Sequence, residues 1–273
     1  MALATEELIL NAMTFADAKQ RFSNRVADYV RYRPGYPAGV LDLLRDECGL
    51  RSESVIADIG SGTGILSKLF LENGNRVFGV EPNREMRAAG DEFLQGYPNF
   101  HNMDSSAETI TLPDASVDFV TAGQSFHWFD PNAARREFLR ILKKDGWVVI
   151  LWQDRRMEES PFAKEFEGLL DGFGIDYKRI KDSYPESENL RSFFAPDSFA
   201  ARDLPNHQAL DWEGLSGRLR SSSFTPTSGH PNFAPMMREL RRIFDAYEHE
   251  GRVRLEYFTR IYFGQLRSEG TSE

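Results

Sequence analysis

VIADIGSGTG, residues 55–64, decides the fold: an apolar run with an acid inside it, glycines at 60, 62 and 64, then ILSKLFLE with helical spacing. A short apolar strand bounded by glycines needs both faces covered, as in a parallel sheet between helix layers. The glycines let the backbone approach a ligand at the strand's carboxyl end, where open α/β sheets place their sites. A dinucleotide fingerprint runs GxGxxG and seats a pyrophosphate on the helix N-terminus. Here the spacing is GxGxG, and Asp58 stands two residues ahead of Gly60. A carboxylate in that place repels an anion and suits an ammonium or sulfonium centre. A second apolar run, RVFGVEP (76–82), ends on Glu81, an acid placed to take ribose hydroxyls. Asp58, the glycines and Glu81 describe a pocket for a nucleoside with an amino-acid-like tail and no phosphate.

Composition narrows the partners. With 273 residues and 41% hydrophobic content the chain builds a real core, in one large α/β domain or two small ones. A net charge of −9 argues against sequence-independent nucleic-acid binding, which draws its affinity from Lys and Arg on phosphates. A small molecule is the expected partner. One cysteine, Cys48, excludes an internal disulfide and a cysteine-based zinc site, and the histidines show no ligand spacing, so no metal is expected. Glu6 and Glu7 precede the first apolar stretch, the wrong order for a signal peptide, and no run is long enough to span a bilayer. A soluble, cytoplasmic protein without membrane association is the expectation.

Around the glycine turn, strand and helix alternate. Thr14 and Asp17 open a helix whose Phe22, Val26, Tyr29 and Val30 share a face, and Pro34 and Pro37 stop it near Arg33. AGVLDLLRDE reads as the next helix. Strands follow at 54–59, 76–81, 99–103, 117–122 and 147–152, with helices at 64–72, 83–94 and 131–143. Such alternation predicts right-handed crossovers and a parallel sheet. Asp130 and Pro131 start the last of these helices, and Lys143 and Lys144 suit its negative end. Beyond Trp152 the pattern loosens into a weak strand (ARDLPNHQALDW), a helix (PNFAPMMRELRRIFDAYEHEG) and a strong strand (RVRLEYFTRIYFGQ).

From about residue 20 to residue 153 the chain resembles the class I S-adenosylmethionine-dependent methyltransferases. In that family a DIGSGTG-type turn holds the methionine part of the cofactor, and the acid ending the second strand binds its ribose. The resemblance therefore assigns Asp58, Gly60, Ser61, Gly62, Gly64, Glu81, Pro82 and Met86 to the cofactor. It also assigns Ser106 and Ala107, with Glu108, to an adenine loop, and Gln124 to the cofactor's edge. QSFHWFD (124–130), YVRYRPGYP (29–37) and GLSGRLRSSSFTP (214–226) resemble a narrower branch typified by trans-aconitate methyltransferase-like proteins. The implied fold is a Rossmann-like, mostly parallel seven-stranded sheet whose final strand runs antiparallel. The implied layout is a single methyltransferase domain over 1–273. It comprises an N-terminal lid helix with RPGYP at 1–40, a cofactor core at 54–153, a substrate-capping insertion at 154–235, and a C-terminal helix and last strand at 236–265.

Methyl transfer from a sulfonium is an in-line displacement, so protein groups mainly align the partners and exclude water. A base is required only where the acceptor must lose a proton; a carboxylate acceptor needs a positioning cation instead. His127, beyond the fourth strand, is either that base or a structural histidine in a tight loop. Phe126, Trp128 and Phe129 either wall the acceptor or belong to the core. Arg33 is placed to clamp an acceptor carboxylate, or is simply solvated. Tyr29 and Tyr36 can close over a sulfonium through their ring faces. The expected activity is methyl transfer to a small molecule, with oxygen, as carboxylate or hydroxyl, preferred. A cofactor-sensing module without catalysis stays open, and the glycine spacing counts against a nicotinamide oxidoreductase.

Overall fold

The computed structural model describes residues 25–157, 160–178 and 187–267. The helix start expected at Thr14 and Asp17, with Phe22, lies outside the described residues. Helix α1 (Val26–Tyr32) ends where Pro34 holds Arg33 in extended backbone, φ −69° and ψ 143°. Helix α2 (Gly39–Cys48) buries Val40, Leu41, Leu44 and Cys48 along one face and ends on Gly49 in the left-handed region.

Then β1 (Val55–Ile59), α3 (Ile65–Glu72), β2 (Arg76–Val80), α4 (Arg84–Phe93), β3 (Phe100–Met103) and β4 (Val117–Gly123) alternate as the sequence predicts. A single 3-10 turn (Phe126–Trp128) leads into α5 (Pro131–Ile141) and β5 (Leu142–Arg155), and the sheet closes with β6 (Ala200–Leu210) and β7 (Val253–Gly264). The seven strands lie in the order β3-β2-β1-β4-β5-β7-β6. Strands β1 to β5 pair in parallel, and β7 runs antiparallel to both β5 and β6. This is the Rossmann-like sheet with one antiparallel strand.

Alternate residues of the central strands feed opposite cores, as a doubly covered sheet demands. Ala57, Val148, Ile150 and Trp152 pack with Phe138 and Ile141 of α5. Ile56, Val149 and Leu151 pack with Leu44 of α2 and Phe70 of α3. The α5 boundary differs from expectation. The helix stops at Ile141, and the Lys143 ammonium reaches the Asp118 carboxylate at 2.9 and 3.0 Å rather than serving the helix end. The chain turns at Asp145 (φ 66°), and the register against β4 slips between Val117 and Phe119, so β5 begins early and irregularly.

A third core stands above the carboxyl ends of the strands. β5 pairs with β7 only as far as Arg155↔Tyr257, while β6 continues along β7 to Leu210↔Val253, so the hairpin overhangs the sheet. Leu210, Val253, Leu255 and Tyr257 from this overhang pack with α6 (Pro161–Phe173), α8 (Trp212–Arg220) and α9 (Phe233–Tyr247). The stretch expected as a continuous cap, 154–235, thus divides. Its β6 belongs to the sheet, and α7 (Ser187–Phe194) buries Leu190, Phe193 and Phe194 on the α5 side of the sheet. Helix α9, expected with the last strand, belongs to the cap. The weak apolar alternation of β6, exposed along most of its length at the sheet's edge, hid this division.

Helix α1 is strapped across the end of α8. Arg25 donates to the carbonyl of Ser222, Arg33 Nη2 donates to the carbonyl of Ser221 at 2.9 Å, and Arg220 pairs with Asp28 at 2.9 Å. Carbonyls at a helix C-terminus lack intrahelical partners and carry partial negative charge, so arginines from a neighbouring helix satisfy both needs. Among the described residues no helix is long and apolar enough to cross a membrane.

Candidate functional site

Two adjoining cavities open at the carboxyl ends of β1, β2, β4 and β5, and Tyr29, Gly60, Gly123 and Gln124 border both. The first, about 780 Å³ with its open mouth, is lined by Gly62, Glu81, Pro82, Asn83, Met86, Ser106, Ala107, Trp128 and Phe129 among others. The second, about 670 Å³, is lined by Arg33, Tyr36, Asp58, Ser61, Gln153, Arg155, Arg218 and Phe224 among others.

The glycine turn shapes the boundary between them. Gly60 holds φ at 64°, and a Cβ there would lie 2.6 Å from that of Ser125, whose hydroxyl donates to the Ile59 carbonyl at 2.8 Å. Glu81 is nearly buried, and its carboxylate is aimed by two backbone amides, Gly62 at 3.0 Å and Asn83 at 2.8 Å. Asn83 also caps α4, accepting from the Met86 amide at 2.9 Å, which fixes the floor of the first cavity.

Asp58 is buried, and its oxygens accept from the hydroxyls of Ser67 at 2.6 Å and Thr121 at 3.1 Å. Burial pushes its carboxyl up to about 6, against the pull of these two hydrogen bonds and with a smaller push from Glu81. Across from it, burial holds the Tyr36 phenol well above its ordinary range, so that this group stays protonated. Gly123 is required by the same contact: a Cβ there would meet the Tyr36 Oη at 2.5 Å. Gln124 sits at φ 58°, a costly conformation for a side-chain-bearing residue, with its amide tied to the Leu151 carbonyl at 3.0 Å.

Most of the residues singled out from sequence meet here; four do not. Gly64 heads α3 with Leu94 packed against it and borders neither cavity. Glu108 turns away to accept from the Asp130 amide at 3.0 Å. His127 lies outside both linings, its ring 4.5 Å from that of Trp128 and 5.4 Å from that of Trp152, and burial drives its imidazole down to about 3. Of the neighbouring aromatics, Trp128 and Phe129 line the first cavity, and Phe126 belongs to the core.

The model of the methyltransferase domain family matches residues 57–150, from the middle of β1 to the middle of β5. An uncharacterized methyltransferase of Schizosaccharomyces pombe is 34% identical over 151 residues, 55% of this chain and 59% of its own length. An uncharacterized methyltransferase of Mycobacterium tuberculosis is 34% identical over 170 residues, 62% of this chain and 66% of its own length. The chain belongs to the class I S-adenosylmethionine-dependent methyltransferases. Among solved structures, a putative methyltransferase from an antibiotic biosynthesis pathway of Anabaena variabilis superposes with a TM-score of 0.61 at 21% identity, covering 87% of this chain and all, 100%, of its own. A putative type II methyltransferase of Anaeromyxobacter dehalogenans gives 0.58 at 21% identity, covering 86% and 98%. The chain thus spans about 59% of the length of the first curated methyltransferases it matches, and the likeness to solved structures is one of fold.

The methyltransferase cofactor, S-adenosylmethionine, suits the residues present. The Ser61 hydroxyl is buried beside the glycine turn without a hydrogen-bond partner among the described residues, and a Cβ on Gly62 would meet nothing within 4 Å. An open backbone face, a waiting hydroxyl, a buried acid for an ammonium and an oriented acid for a ribose form one donor and acceptor set.

Sequence reasoning missed Tyr36 as the contact of Gly123, and it missed Arg155 and Arg218. Arg155 extends from the last residue of β5 to donate to the Tyr177 hydroxyl at 2.6 Å, with Glu167 at 3.6 Å. Arg218 shares the buried face of α8 with Leu215 and Leu219. A cation on an apolar helix face was the available signal.

Proposed function

We propose that this methyltransferase moves the methyl group of S-adenosylmethionine to an oxygen of a small-molecule acceptor, an ionised carboxylate in preference to a hydroxyl. One observation carries the preference. Among the described residues lining the second cavity, Asp58 is the sole carboxylate, both its oxygens already accept hydrogen bonds, and neither histidine nor lysine occurs. A hydroxyl acceptor must give up a proton during the step, and a carboxylate need not.

Asp58 and the turn at Gly60–Gly62 hold the amino-acid end of the cofactor, and Glu81 holds its ribose. When bound, the cofactor supplies a methyl group already activated by its sulfonium. Tyr29 closes over the junction of the two cavities, and Arg33, stacked 4.7 Å over the Tyr29 ring, offers a guanidinium to the acceptor carboxylate. Tyr36 donates rather than accepts a proton. Helices α1 and α8 keep water from the second cavity, which favours attack by the acceptor over hydrolysis. The net charge of −9 and the size of the cavity support a small acceptor over a nucleic acid, and the resemblance of residues 29–37, 124–130 and 214–226 to trans-aconitate methyltransferase-like proteins supports oxygen. A cytoplasmic site of action completes the proposal.

Methyl esters hydrolyse in mild alkali and methyl ethers do not. Incubation with methyl-labelled cofactor and a panel of small carboxylic acids and alcohols should give label that alkali releases as methanol. Alkali-stable label would overturn the carboxylate assignment. No label, with cofactor binding intact, would leave a binding module without catalysis.

A further inference from the structure

Arg218 is 6% exposed and borders the second cavity, and among the described residues its guanidinium makes one hydrogen bond, from Nη1 to the Ser222 hydroxyl at 3.0 Å. Its Nε is buried without a partner, and among the described residues no carboxylate lies within ion-pair distance of its guanidinium. The neighbouring arginine is treated differently: Arg155 has Glu167 and the Tyr177 hydroxyl, and Tyr177 in turn donates to Glu167 at 2.5 Å. The last turn of α8 contributes partial negative charge near Arg218, but a helix end and one hydroxyl return much less than burial of an ion costs. A guanidinium has five donors, and among the described residues one of those on Arg218 finds an acceptor while Nε is buried without one. The counter-charge must therefore come from a molecule that enters the cavity. Asp58 is the only acid among the described residues of that lining, and it is held by Ser67 and Thr121.

We propose that Arg218 is a specificity-determining residue that anchors an oxyanion of the acceptor, a carboxylate or a phosphate, other than the oxygen that receives the methyl group. The assignment rests on the methyl-transfer reading above for its choice of occupant. It gives the cavity two jobs at two places, with a reacting oxygen near the glycine turn and Gln124, and an anchoring anion under Phe224 and α8. Neutral analogues of the same shape then bind weakly, because they leave the guanidinium buried and unpaired.

The test uses the full chain, its Arg218→Gln and Arg218→Lys variants, and acetate, inorganic phosphate and neutral acetamide as probes at constant ionic strength. Melting temperature against probe concentration reads binding, since a ligand of the folded state raises it by mass action. We expect acetate or phosphate, but not acetamide, to stabilise the wild type. Arg218→Gln should need at least tenfold more anion for the same shift, and Arg218→Lys should stay within about threefold of the wild type. Which anion acts on the wild type distinguishes a carboxylate from a phosphate. A merely structural Arg218 would instead make Arg218→Gln melt lower without anion and leave the anion response unchanged, which overturns the proposal. Calorimetry with S-adenosylhomocysteine on the same proteins separates the two readings. Affinity within twofold across all three supports an acceptor anchor, whereas a tenfold loss in Arg218→Gln assigns the guanidinium to the cofactor and overturns it. If the wild type fails to bind S-adenosylhomocysteine, the methyl-transfer reading falls while the anion response still reports on Arg218.

Discussion

Asp58 faces two opposing demands. Its burial is costly, because a carboxyl raised from 3.8 to about 6 is destabilised as the anion by about 3 kcal/mol. The folded state binds the proton more tightly than the unfolded chain, so stability from this group falls as pH rises from about 4 to about 6 and is flat above. Asp58→Asn should therefore raise the melting temperature at pH 7.5 and lose that advantage near pH 4, while weakening cofactor binding more than tenfold. An ammonium group at Asp58 favours the anion, so wild-type affinity for S-adenosylhomocysteine should fall as pH drops through about 6; calorimetric affinities equal at pH 5 and 7.5 would contradict the assignment. Asp58 and Glu81 were legible in the sequence because each sits at a strand tip, a position that β-periodicity alone locates. Arg155 and Arg218 were not, because each becomes part of the cavity only through the packing of cap on sheet.

Elements differ in how far local sequence controls them. Asp130 caps α5 through hydrogen bonds of 2.9 Å to two amides, with Pro131 at the first turn, and this start was readable residue by residue. The contact of α1 with α8 was not, because it depends on side chains some 180 to 200 positions apart, such as Tyr32 donating to Glu213 at 2.9 Å. That contact closes on Gly217, where any Cβ would run into the Tyr32 ring. Gly217→Val should lift α1 from α8 and carry Tyr29 and Arg33 away from the cavities. The expected result is at least a tenfold loss of cofactor affinity with far-UV circular dichroism near that of the wild type, since the sheet's own cores do not include Gly217. Retained affinity would show that α1 stays in place without the close approach.

For the whole molecule, the order of layers from β1 to β5 followed from alternation of strand and helix, and the final antiparallel strand followed from family resemblance. The cap did not, because its apolar residues come from three helices and a hairpin that are each only half-patterned. Trp212 packs beside Phe244 of the cap, with ring centroids 5.8 Å apart, and Trp147 packs beside Phe263 of the sheet at 6.2 Å. Variants retaining only one of these tryptophans should report coincident denaturant transitions, because the same two strands run through both cores. Separated midpoints would mean that the cap unfolds by itself.

The overhang of β6 and β7 also has a mechanical consequence. Backbone hydrogen bonding continues without a break from the sheet's edge into the cap, so there is no hinge about which the cap can swing as a lid. On the other side of the second cavity, α1 is held by side-chain hydrogen bonds and an ion pair instead of a strand ladder. The cap is thus the fixed frame of the second cavity, and α1 is the wall that side-chain contacts hold against it.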